Sequence, residues 1–140
     1  MLGRILAIDP GGRRVGLALT DPMRIIASPY ETLLVKNNAD AIEQIMAIII
    51  KEQVAEIVVG LPLRPGLEKS EQAKRVELFI SELSSKVNIP VFTTDESYSS
   101  VEAEESLHQM GKKVGQDKGA VDRIAAALIL KQYLKETQGY

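Results

Sequence analysis

Ile5-Leu6-Ala7-Ile8-Asp9-Pro10-Gly11-Gly12-Arg13-Arg14-Val15-Gly16-Leu17-Ala18-Leu19-Thr20 decides the reading of this chain. An apolar run ends on an acid, turns through two glycines and two arginines, and becomes apolar again. Glycine adopts turn conformations that other residues resist, so the stretch predicts a hairpin with strands over 4–9 and 14–20. A carboxylate at the end of a buried strand is costly unless something uses or compensates it. Two common uses are holding a divalent cation and aligning a phosphate-bearing substrate.

Outward from the hairpin, residues 24–34 read as a third strand that Pro29 would confine to an edge or strand end. Ile42, Ile45, Met46, Ile49 and Ile50 recur at helical spacing, which predicts a helix over 39–53 with Asn38 as its N-cap. Residues 56–61 form an apolar run suited to a buried parallel strand. A second helix is expected over 70–87, with Val76, Phe79, Ile80, Leu83 and Val87 as its core stripe. A strand over 90–95 follows. Ser99 and Glu102 make a capping box that starts a helix near residue 100, ending at Gly111. A lysine-bearing loop over 111–119 leads to a last helix over 120–135.

The expected order is β-β-β-α-β-α-β-α-α in an α/β fold. Early strands joined by hairpins pair antiparallel; later strands reached through helices pair parallel by right-handed crossovers. The result is a mixed five-stranded sheet with helices on both faces. At 140 residues the chain reads as a single domain spanning 1–140.

Composition narrows the function. With 45% hydrophobic and 26% charged residues, the chain has an ordinary globular balance. Cys 0 removes thiolate zinc sites, disulfides and cysteine nucleophiles. The N-terminal apolar run is broken at Asp9 and lacks the features of a signal peptide, so a cytoplasmic protein without a membrane partner is expected. A net charge of −2 argues against a broad basic coat, not against an enzyme with a few cations around an acidic site.

Three acidic positions stand out: Asp9, the Asp95-Glu96 pair closing the last strand, and Asp122 at the start of the last helix. Each has a plain structural alternative. Asp9 suits a turn, Asp95 local hydrogen bonding, Glu96 solvent, and Asp122 the positive end of a helix dipole. If the first and last strands are neighbours, the carboxylates converge at one sheet edge. A divalent cation would relieve their repulsion, and oxygen-only ligands favour Mg²⁺ or Mn²⁺. Such a centre hydrolyses phosphodiesters without a histidine or serine nucleophile. Arg13 and Arg14 suit phosphate oxygens, or simply form a solvated hairpin tip. Lys112, Lys113 and Lys118 could follow a nucleic-acid backbone, or only keep a loop solvated.

With these motifs in view, the chain resembles the YqgF/RuvX family of the ribonuclease H-like superfamily, related in fold to Holliday-junction resolvases. The resemblance rests on Asp9-Pro10-Gly11-Gly12-Arg13-Arg14-Val15-Gly16-Leu17-Ala18 with Thr20-Asp21, then Val59-Gly60-Leu61-Pro62-Leu63. Asp95-Glu96 with Ser99-Ser100-Val101-Glu102-Ala103, and Lys118-Gly119 with Val121-Asp122 and Ala125-Ala126, complete it. By that resemblance Asp9, Glu96 and Asp122 are the catalytic, metal-binding acids, with Asp95 a further candidate ligand. The implied activity is a Mg²⁺- or Mn²⁺-dependent endonuclease maturing the 5′ end of precursor 16S ribosomal RNA in ribosome biogenesis. Implied partners are nucleic acid, including precursor ribosomal RNA or branched DNA, and the ribosomal subunit, with the protein a monomer or homodimer. Ser97 stands where the family usually carries an arginine, so either phosphate binding is weaker or Arg13, Arg14 or Arg123 substitutes for it.

Three other functions compete: a Holliday junction resolvase-like DNA endonuclease, a non-catalytic RNA- or ribosome-binding module, and an actin-like kinase or ATPase. The last needs two domains around its nucleotide.

Overall fold

A computed structural model describes residues 2–62, 71–95 and 119–138. The strands are β1 (Arg4–Pro10), β2 (Arg14–Thr20), β3 (Ala27–Leu34), β4 (Val54–Leu61) and β5 (Val91–Asp95). The helices are α1 (Asn38–Glu52), α2 (Glu71–Lys86) and α3 (Ala120–Gln138). The helix expected between residues 100 and 111 lies outside the described residues.

The strands form one sheet in the order β3-β2-β1-β4-β5. β1 and β3 flank β2 antiparallel, whereas β4 runs parallel to both β1 and β5. The mixed sheet matches the expectation, but the first and last strands are not neighbours: β4 lies between them. The right-handed crossover through α1 puts β4 beside β1, and the next crossover steps outward to β5. Because β1, β4 and β5 are parallel, their C-terminal ends still share one edge of the sheet.

The pleat divides the core into two layers. Leu6 and Ile8 of β1 join Val15, Leu17 and Leu19 of β2 in packing against Ile42 and Ile45 of α1 and Val76, Phe79 and Leu83 of α2. Ile5, Ala7, Ala18 and Val58 face the other way, onto Ala126, Ile129, Leu130 and Tyr133 of α3. Helices therefore cover both faces.

Local chemistry moves two expected boundaries. The cap of α1 is Asn37, one residue earlier than expected: its side chain accepts from the Asp40 N–H at 2.8 Å. The Asp40 carboxylate in turn accepts from the Lys36 N–H at 2.8 Å, so the two side chains lock the helix entrance. The buried stripe of α1 is Ala41, Ile42, Ile45 and Ile48, while Met46 and Ile50 are exposed. The start of β3 moves to Ala27 because Asp21 folds residues 21–26 into a tight loop. Its Oδ1 accepts from Ile25 at 2.8 Å and Ile26 at 2.7 Å, and Arg24 sits at φ 59°. Pro29 lies on the edge strand at a register shift, where a missing N–H costs no ladder bond. No helix among the described residues is long and apolar enough to cross a membrane.

Candidate metal centre

Asp9 is the penultimate residue of β1, partly buried, at the sheet edge where the parallel strands end. Alternation from Ile5 and Ala7 turns its side chain toward the α3 face. Its cross-strand partner on β2 is Gly16. The hairpin between them is tight: the Gly11 N–H donates to the Arg14 carbonyl at 3.0 Å. A Cβ on Gly11 would stand 2.5 Å from that carbonyl oxygen, which explains a glycine there.

Gly16 does more than continue the strand. A Cβ placed on it would overlap the backbone carbonyl of Asp122 and stand 2.9 Å from the Asp122 Cβ. The first turn of α3 therefore lies directly on bare β2 backbone, beside Asp9. Glycine inside a strand often marks such a close approach, and this is the signal by which the sequence could have revealed the role of Gly16. Ala125, Ala126 and Ala127, all buried, keep the next turn of α3 equally slim.

Asp122 thus reaches the sheet next to Asp9. Its Oδ2 is buried and receives no hydrogen bond. The Arg14 Nε lies 3.2 Å away, near enough for an ion pair, but its N–H is not aligned to donate. Burial pushes the Asp122 carboxyl above its usual range, and the charges of Arg14 and Arg123 pull against that rise.

Of the other expected site residues, Asp95 closes β5 at the same sheet edge, paired with Leu61. The pleat gives the α3 face to Thr94, whose hydroxyl donates to Glu136 of α3 at 2.7 Å, and turns Asp95 the opposite way. Arg13 is exposed at the hairpin tip. Arg123 reaches β3, with Nη1 3.4 Å from the Thr32 Oγ1. Glu96, Lys112, Lys113 and Lys118 lie outside the described residues. Among the described residues, no three His, Cys, Asp or Glu side chains gather closely enough to hold a metal ion by themselves. A cavity of about 290 Å³ opens on the other face of the sheet, bordered by Gly11, Val35, Arg75 and Phe79, and neither Asp9 nor Asp122 lines it.

Asp9 and Asp122 do suit a divalent cation. Both offer hard oxygen donors, and the buried Oδ2 of Asp122 has the Arg14 charge nearby but accepts no hydrogen bond, which leaves a lone pair for a cation.

A family model described as RuvX, Holliday junction resolvase, matches residues 3–136. A protein of Roseiflexus sp. (strain RS-1) named "Putative pre-16S rRNA nuclease" is 38% identical over 132 residues, 94% of each chain. A protein of the same name from Koribacter versatilis (strain Ellin345) is 39% identical over 133 residues, 95% of this chain and 87% of that one. Among solved structures, Thermus thermophilus RuvC in complex with a Holliday junction substrate superposes with a TM-score of 0.62 at 14% identity, over 97% of this chain and 96% of that one. The fowlpox virus resolvase in complex with Holliday junction DNA gives a TM-score of 0.56 at 10% identity, over 95% and 97% of the two chains. With a matching family model, near full-length relatives and a resolvase-like fold, this chain belongs to the RuvX family of nucleases.

Proposed function

We propose that this chain is a Mg²⁺- or Mn²⁺-dependent endonuclease that matures the 5′ end of precursor 16S ribosomal RNA, working in the cytoplasm on the assembling small subunit. In this reading residues 1–140 act as one ribonuclease H-like domain, and Asp9, Glu96 and Asp122 are its metal-binding acids. The observation that carries the reading is the buried Asp122 Oδ2 without a hydrogen-bond donor, set beside Asp9 by the bare backbone of Gly16. The substrate follows from the relatives, whose name specifies precursor 16S ribosomal RNA.

When bound, the metal would supply an activated water and neutralise charge building on the phosphodiester. The chain's own residues prepare that site. Asp9 and Asp122 present ligand oxygens from two rigid elements, a central strand and a helix packed against it. Arg14 tempers their negative charge and, being half-exposed, can also meet a phosphate oxygen. Arg13, Arg123, Lys112, Lys113 and Lys118 are the candidate contacts along the nucleic-acid backbone.

The deciding experiment is a Mn²⁺-dependent cleavage assay on precursor 16S RNA and on four-way DNA, with wild type beside Asp9→Asn. Wild type should cut the RNA at its 5′ flank, while the folded variant should cut neither. Full activity in Asp9→Asn would refute the site. Cleavage confined to four-way DNA would instead make the chain a junction resolvase.

A further inference from the structure

The register of the sheet aligns three residues across three strands. Asp9 pairs with Gly16, and Gly16 pairs with Thr32 of β3. The first turn of α3 lies along this row, with Asp122 over Gly16 and Gly119 over Thr32. The Thr32 hydroxyl donates to the Gly119 carbonyl at 2.7 Å, and a Cβ on Gly119 would stand 2.7 Å from that hydroxyl and 2.9 Å from the Thr32 Cβ. The same carbonyl accepts the Arg123 N–H at 3.1 Å, closing the first turn of the helix.

These contacts differ in kind. Gly16 gives the helix room but no direction, because contact with bare backbone resists compression and little else. A hydrogen bond is directional, and its strength falls steeply with misalignment. Gly119 and Asp122 are three residues apart, nearly one helical turn, so a bond at Gly119 sets the rotation at which Asp122 meets the sheet. The Asp122 Oδ2 accepts no hydrogen bond and meets only the half-exposed Arg14 side chain, so the helix that carries it sets its place.

We propose that Thr32 is a positioning residue for the metal centre: its hydroxyl clamps the Gly119 carbonyl and thereby fixes where Asp122 stands relative to Asp9. This rests on the reading of Asp9 and Asp122 as metal ligands. Thr32 lies two strands from Asp9, about 10 Å across the sheet at ordinary strand spacing, and acts only through the helix. The arrangement spans 87 positions of sequence, and no local pattern around Thr32 announces it.

The test is Mn²⁺ affinity, measured by the EPR signal of free Mn²⁺ on the intact chain without substrate. Thr32→Val keeps the branched shape and removes the hydroxyl; Thr32→Ser keeps the hydroxyl. The expected result is a roughly 5- to 10-fold weaker Mn²⁺ affinity in Thr32→Val and an affinity within about two-fold of wild type in Thr32→Ser, at or below the roughly 10- to 100-fold lost with groups bonded directly to metal ligands, because Thr32 acts through the helix backbone. Thr32→Ala repeats the measurement should Thr32→Val not fold. Unchanged affinity in the hydroxyl-free variants, or equal loss in Thr32→Ser, would overturn the proposal and leave Thr32 a structural anchor only. Asp122→Asn separates the two readings. If wild type and Asp122→Asn bind Mn²⁺ alike, or wild type binds none, the metal site itself fails. If Asp122→Asn abolishes binding and Thr32→Val leaves it intact, only the role of Thr32 fails.

Discussion

Gly16 of β2 and Asp122 of α3 touch through backbone, with no room between them for a single methyl group. This contact brings together two segments more than a hundred residues apart. It sets the helix that carries one acid on the strand beside the other.

Gly16→Ala should be strongly damaging. The added methyl must displace the first turn of α3, and overpacking of this kind costs roughly 1–3 kcal/mol. The thermal midpoint should fall, and metal-dependent cleavage should drop by more than the loss of folded protein explains. Gly12→Ala is the control, since a Cβ there meets nothing within 4 Å. Comparable losses in both variants would refute the contact argument.

Asp122→Asn should separate stability from function. The native carboxyl has its pKa raised by burial, so its ionised form opposes folding. That group favours the fold at low pH, and the contribution is lost as pH rises from the unfolded value through the raised native one. At neutral pH without metal, the neutral amide should therefore melt at or above the wild-type temperature, while cleavage disappears. Added Mn²⁺ should raise the midpoint of wild type and leave the variant unmoved. A fall of more than roughly 3 °C in the metal-free variant, on the order of 1 kcal/mol, would contradict the sign.

Arg14→Gln probes the charge beside that carboxyl. Arg14 is the leading influence holding the Asp122 carboxyl down against burial, so its loss should raise that carboxyl further. Protons then compete with metal up to a higher pH. The acid limb of Mn²⁺ affinity against pH should move toward neutral, with little change in thermal midpoint because the pair is partly solvated. An unmoved acid limb would show that Arg14 does not act on the carboxylate.

Asp21→Ala tests the loop at the opposite edge of the sheet. Backbone N–H groups of Ile26, then Ile25 and Met23, hold the Asp21 carboxyl below its usual range. A depressed native pKa stabilises the fold above the unfolded value of about 3.8, and the benefit is lost as pH falls through the native one. The variant should melt below wild type at neutral pH, and the gap should close in strong acid. A gap independent of pH would assign the loss to the loop backbone alone.

Much of the architecture was legible locally. Continuous apolar runs marked both strands of the hairpin, which are buried on both faces, and helical spacing marked α1 and α2, because burial of one face imposes its period on the sequence. The errors fell where a single side chain competes with that period. Asn37 and Asn38 are equally good caps in isolation, and the choice belongs to the bond between Asn37 and Asp40. Met46 and Ile50 fit a helical stripe but fall outside the packed face of α1. Asp21 took residues 24–26 out of the third strand by collecting the N–H groups of Ile25 and Ile26.

The sequence by itself determined the family, the strand that carries Asp9 near its end, the helix that begins near Asp122 and the oxygen-rich chemistry these acids favour. Those are properties of short segments, in which residue type and spacing state the physics directly. The tertiary structure decided that β4 separates the first and last strands, that Gly16 is the floor under Asp122, and that Thr32 holds the turn in place. Each depends on which distant segments meet. That outcome is set by crossover handedness and by how closely two backbones can approach, neither of which is written at any one position.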